Sequence, residues 1–190
     1  MRSAEVDGLS STVAEADRRG TVLDSALITF ARFGYRKTSM EEVARASHIS
    51  RPGLYFLFTS KEALFRAAVT RALQHDIAEI EGVLTNAEHP LDQRLLEAFD
   101  RWAGRYIGPL SRGVPAVIED NPGLLGTIVE TMPRRFGELL TEALATEVGA
   151  ATASKVAQTL ISTSIGIKHQ VDTRDAYLER LEVAVRLIAR

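Results

Sequence analysis

The stretch SMEEVARASHISRPGLYFLF, residues 39–58, leaves this chain the least freedom in how it folds. Met40, Val43 and Ala44 share one helical face, and Leu54, Leu57 and Phe58 repeat at the i, i+3, i+4 spacing of a second helix seated on a small core. Only Ser47-His48-Ile49 lies between them, so the backbone must turn within about three or four residues. Thr38 precedes Glu41 by three positions, the reciprocal spacing of a capping box, and Ser50 is a good N-cap for the second run. Arg51 and Pro52 then occupy the first turn, where a missing proline N–H does no harm.

Two short helices joined so tightly form a helix-turn-helix, whose second helix enters the DNA major groove by its N-terminal end. Thr38, Val43-Ala44, Ser50-Arg51, Leu54-Tyr55, Phe58 and Ser60-Lys61-Glu62-Ala63-Leu64 together resemble the DNA-binding signature of the TetR/AcrR family of transcriptional regulators. Upstream, VLDSALITFARFGYRKTS at 22–39 is similar to that family's first helix and the glycine ending it. The likeness covers residues 20–70; beyond them it is one of length and helix rhythm, with a weaker echo at Gly166-Ile167-Lys168-His169. It implies an all-α fold: a three-helix N-terminal DNA-binding domain and a C-terminal helical domain for ligand binding and dimerisation. The expected boundaries are a flexible arm at 1–17, the DNA-binding domain at 18–76 and the C-terminal domain at 77–190.

At 190 residues the chain suffices for one or two small domains with a buried core. Cysteine is absent, which excludes disulfides, thiolate metal sites and cysteine catalysis. No run of about 18 apolar residues is present, and the N-terminus lacks the layout of a signal peptide, so a cytoplasmic protein with no membrane partner is expected. The net charge of −2 conceals an asymmetry. Residues 18–63 hold eight basic side chains against four acidic ones, a balance of +4 that leaves −6 elsewhere. A positive segment on an acidic body suits a face offered to phosphates, although a solvated surface alone accounts for a bias this small.

Candidate contacts divide into positioning and reading groups. Lys61 lies in the first turn of a helix starting after Thr59-Ser60, where free N–H groups and the helix dipole meet a phosphate. Thr38, Ser39 and Tyr55 carry hydroxyl donors, and the family likeness puts Thr38, Tyr55 and Lys61 at phosphate-contacting positions. Tyr55 is otherwise a core aromatic. Ser50, Arg51, Pro52 and Gly53 form the groove-entering end. Arg51 either forks onto guanine O6 and N7 or clamps a phosphate, and Gly53 permits close approach. Two departures stand out. His48 occupies a turn position usually given to glycine, and Leu57 replaces the polar or histidine residue common there, with Phe56 beside it also apolar, so one or two contacts made by relatives are expected to be missing.

The remaining chain reads as helix throughout. Apolar stripes run over 60–84, 91–107, 122–148, 151–169 and 173–189, with Pro133 expected to kink or split the third of these. The irregular segment between Gly108 and Pro115 is expected to turn without helix. Phe99, Trp102, Tyr106, Ile128, Met132 and Phe136 are candidate lining for a largely apolar effector, against ordinary core packing for each. Leu160, Ile161, Ser164, Ile165, Tyr177, Leu181, Val185 and Ile188 carry more apolar surface than one small body needs, which points to a four-helix dimer interface. The four histidines are scattered, and neither a metal motif nor a nucleophile elbow is present, so no enzyme, metal or cofactor is expected. The expected function is a homodimeric repressor that binds palindromic double-stranded DNA and is released by a small-molecule effector. The rival is a helical interaction module for DNA or protein that senses nothing.

Overall fold

The computed structural model describes the backbone of residues 3–108 and 113–188, and side chains of residues 17–108 and 116–187. Every described element is helical. In order these are α1 (Ser3–Phe33), α2 (Met40–Ala46), α3 (Arg51–Leu57), α4 (Lys61–Thr85), α5 (Leu91–Trp102), α6 (Gly113–Asp120), α7 (Pro122–Leu125), α8 (Ile128–Val148), α9 (Ala150–Lys168) and α10 (Arg174–Ile188), with a 3-10 turn at Gly104–Tyr106 after α5. They divide into two compact units. The first holds Met1–Ala72 and Ala116–Leu125; the second holds Leu73–Pro115 and Gly126–Arg190.

In the first unit α1 stops where the sequence predicts, because Gly34 takes φ +80°, a backbone state that needs no Cβ. Its helix extends N-terminal of the expected start near Thr21, as far as Ser3. Phe30, Tyr35 and Phe65 pack with ring centroids 4.9–5.8 Å apart and, with Val22, Ala26, Val43, Leu54, Phe58 and Leu64, make the core. Val117 and Leu125 are also buried, and Arg66 Nε on α4 donates to the Leu124 carbonyl at 2.8 Å.

The second unit is a bundle built on α5, α8, α9 and α10. Its core runs from Ile77, Ile80 and Leu84 through Leu95 and Phe99 to Phe136, Leu140, Leu144, Leu160, Tyr177, Leu181 and Val185. Three expectations change here. The helix predicted over 91–107 ends at Trp102 and tightens into the 3-10 turn. Residues 109–112, the middle of the segment expected to turn irregularly, lie outside the described residues; its downstream bracket already belongs to α6, with Pro115 in the first turn, where a proline costs no hydrogen bond. The break predicted at Pro133 lies upstream instead: Gly126 takes φ +65° and separates α7 from α8, while Pro133 stays inside a continuous α8.

Candidate nucleic-acid interface

The turn between α2 and α3 is assembled locally. Ser39 caps α2: its Oγ accepts from the Glu42 N–H at 3.2 Å, and the Glu42 carboxylate accepts from the Ser39 N–H at 2.7 Å. Those hydrogen bonds, the backbone one first, hold the Glu42 carboxyl below the usual carboxylate range. The capping box is thus one residue later than Thr38 and Glu41, the pair predicted. Thr38 is only 2% exposed and donates its hydroxyl inward to the Gly34 carbonyl at 2.9 Å. His48 adopts φ 54°, the left-handed turn expected of it. Ser50 caps α3 and accepts from the Gly53 N–H at 3.1 Å.

On α3, Leu54 and Phe58 seal the inner face and leave Arg51, Pro52, Tyr55 and Phe56 outside. Gly53 lies between the two faces, half-buried. Tyr55 is 42% exposed, with the Arg51 guanidinium 5.7 Å from its ring, so it is not the core aromatic of the alternative reading. Phe56 is 84% exposed, the most open large apolar side chain among the described residues. From the sequence it is notable only as a second apolar residue beside Leu57. Its half-turn offset from Leu54 and Phe58 was the signal that placed it outward.

Lys61 does more than stand at a helix start. Its ammonium donates to the carbonyls of Tyr35 and Thr38, both at 3.1 Å, and lies 4.5 Å over the Tyr35 ring. Ser60 caps the helix by accepting from the Ala63 N–H at 3.0 Å, and the first N–H groups of α4 have no intrahelical acceptor. Arg19, though exposed, reaches the far end of α3, donating to the Leu57 carbonyl at 3.1 Å and lying 4.3 Å over Phe58. Arg36, Lys37, Arg45 and Arg51 remain as exposed cations around the turn.

In the second unit four of the six candidate effector residues meet in the core, where Phe99 and Phe136 are fully buried, as the core-packing alternative has it. Trp102 stacks on Phe136 at 4.8 Å, Phe99 meets Phe136 edge-on at 5.3 Å, and Met132 packs against the same cluster. Tyr106 turns to a polar partner: its hydroxyl donates to Asp76 Oδ2 at 2.7 Å and accepts from Arg105 at 2.9 Å. Burial first, and then the bond to Asp76, pushes the Tyr106 hydroxyl up to about 12. Asp76, which sequence reading passed over, is buried and also paired with Arg105. Ile128 is half-buried on the first turn of α8.

The candidate dimer residues separate into two sets. Leu160, Ser164, Tyr177, Leu181 and Val185 face inward, and Ser164 and Tyr177 share a hydroxyl–hydroxyl bond of 2.7 Å. A residue filling its own core cannot offer that surface to another copy, so these five are corrected to core positions. Ile161 is half-buried, Ile165 is exposed, and the side chain of Ile188 lies outside the described residues. Among the described residues, the large exposed apolar positions on α10 are Val183 and Leu187, one turn apart.

A capped helix with a polar and aromatic outer face, set by a tight turn against a preceding helix, defines a helix-turn-helix DNA-binding domain. Residues 22–68 match the family model of the bacterial regulatory proteins, tetR family, so this segment is similar to that family's helix-turn-helix domain. The HTH-type transcriptional repressor ComR of Escherichia coli K12 is 35% identical over 81 residues, which are 43% of this chain and 39% of that protein. The regulator RutR of the same organism is 32% identical over 68 residues, 36% and 32% of the two chains. The match therefore spans less than half the length of these relatives. Whole-chain likeness is structural: E. coli NemR in reduced form superposes with TM-score 0.72 at 19% identity, covering 90% of this chain and 96% of that one. SmeT, the repressor of the Stenotrophomonas maltophilia multidrug efflux pump SmeDEF, does so with TM-score 0.68 at 16% identity, covering 89% of each. At such identities the shared property is the fold. Among the described residues, no helix is long and apolar enough to cross a membrane.

Proposed function

We propose that the chain is a transcriptional repressor that binds a palindromic operator as a homodimer and is released by a small, largely apolar effector. The outward face of α3 carries this reading: Arg51, Pro52, Tyr55 and Phe56 stand clear of the core on a helix whose start is capped and free to enter a groove. Arg51 and Tyr55 supply polar contacts, and Gly53 allows the backbone close to the bases. The start of α4 offers its N–H groups to a phosphate, and the exposed Ser39 and Ser50 cap the two helices of the motif.

One seven-residue helix makes too few base contacts for a specific site, so two are needed, about 34–36 Å apart on the duplex. The open positions Ile165, Val183 and Leu187 supply the apolar surface on which a second copy would pair. For the effector, the Trp102–Phe136–Phe99 stack and Met132 supply an apolar, adaptable wall, with Tyr106 and Asp76 as a polar edge. α4 runs unbroken for 25 residues from the DNA-binding unit into the effector unit. An effector releases DNA only to the extent that it prefers the conformation in which the half-sites are misplaced. Like ComR and SmeT, which carry the word repressor in their names, the protein would act where DNA is, in the cytoplasm.

The test is selection of duplexes from a random-sequence pool with the full-length chain, then footprinting on the enriched sequence. A short symmetric protected site supports the reading; absence of enrichment overturns it. Titrating that complex with a panel of small apolar compounds tests the second half, and an operator affinity unmoved by all of them removes the sensing role.

A further inference from the structure

Phe56 has no place in the function just described except as bulk, yet its geometry asks for a partner. It lies on the face of α3 opposite Leu54 and Phe58, four residues after Pro52, so these two side chains stack along the helix about one 5.4 Å turn apart. Arg51 and Tyr55 form a parallel row beside them, also four residues apart. The outer face of α3 is therefore two-sided: a polar row able to hold phosphates or guanine, and an apolar row with no donor or acceptor on either side chain.

We infer that the Pro52–Phe56 row reads thymine, by packing the Phe56 ring against a C5-methyl group in the major groove. The thymine methyl is the one apolar feature that a base pair presents there, and apolar side chains are its usual partners. A bare phenyl ring cannot take the phosphate contact that a polar residue would make. The exposed cations Arg36, Lys37, Arg45 and Arg51 around the same turn favour DNA over an apolar protein surface as the occupant. This assignment rests on the operator-binding reading above.

The experiment takes the best duplex from the selection and replaces each thymine in turn by deoxyuridine, which pairs identically but lacks the methyl. Affinities are measured for the full-length chain, for Phe56→Ala and for Phe56→Leu. At one or two positions per half-site, deoxyuridine should weaken the unsubstituted chain about 3–10-fold, roughly the loss of one buried methyl. The same replacement should leave Phe56→Ala unchanged and retain part of its effect in Phe56→Leu. Because the ring is so exposed, both variants should fold and melt as the parent does, which circular dichroism checks. If every replacement costs the parent and Phe56→Ala the same factor, Phe56 does not read thymine, and this inference fails while the regulator reading survives. Failure of the pool to enrich any sequence overturns both.

Discussion

The ammonium of Lys61 donates to the carbonyl of Thr38 at 3.1 Å, bridging the first turn of α4 to the residue before the α2 cap. With its equal bond to Tyr35 and its seat over that ring, Lys61 holds the α1–α2 turn in place. Its charge is thereby partly spent inside the protein before any phosphate arrives.

Lys61→Ala should therefore show itself first in stability. Losing charge-assisted bonds to two carbonyls is expected to cost about 1–3 kcal/mol in chemical denaturation. DNA affinity should fall by a similar factor on every sequence, since the turn positions the whole motif. A variant that binds weakly while unfolding at the parental denaturant concentration would show that Lys61 serves phosphate alone.

Arg51 is free to reach out. Arg51→Ala should cost about 1–3 kcal/mol of operator affinity. If the guanidinium forks onto guanine, the loss concentrates at one base pair; if it grips a phosphate, it spreads evenly and the salt slope falls by about one. Competition with single-base operator variants at two salt concentrations separates the outcomes.

His48 carries a side chain at φ 54°. The strain of that state for a residue with a Cβ exceeds the entropy glycine loses on folding, so His48→Gly should stabilise by about 0.5–1 kcal/mol. His48→Val should destabilise by more than that, because a β-branched residue fits the left-handed region worst. Thermal melts of the three proteins decide it.

Val183 and Leu187 are exposed and Leu181 is fully buried on the same helix. Val183→Glu and Leu187→Glu should shift the protein to monomer in sedimentation equilibrium with little change in helix content. Leu181→Ala should instead cost about 2–5 kcal/mol of fold stability through the cavity it leaves.

Tyr106 and Tyr177 both have hydroxyls pushed up to about 12, by burial first, from an ordinary 10.0. An acid that folding makes weaker stabilises the native state below its unfolded pKa and loses that contribution as pH rises through the folded one. Melting temperature should thus drop between about pH 10 and 12. The Tyr106→Phe and Tyr177→Phe double variant should lose that part of the decline.

What could be read from the chain was whatever local chemistry decides. Gly34, the Ser50 cap, the His48 turn and the inward Leu54 and Phe58 depend on neighbours within a few positions, and each matches expectation. The cap of α2 slipped by one because Thr38 found an acceptor in Gly34, a choice made by how the loop folds back. Lys61 read as a phosphate ligand because the carbonyls that capture its ammonium lie more than twenty positions upstream. On α9 and α10, apolar residues occur on both sides of each helix. Periodicity alone could not separate Tyr177, Leu181 and Val185, which fill the core, from Ile165, Val183 and Leu187, which do not. Asp76 escaped notice for the same reason, as one carboxylate among many until Arg105 and Tyr106 closed around it.

The chain leaves the first unit after Ala72 and comes back to it only for Ala116–Leu125, where Val117 and Leu125 are buried and Leu124 receives Arg66. Synthesis proceeds from the N-terminus at a few residues per second, and domains ordinarily settle as they emerge. Here the first unit lacks its last segment until roughly fifty more residues have left the ribosome. A nascent chain stalled short of residue 125 would then hold a first unit that lacks two of its buried apolar side chains.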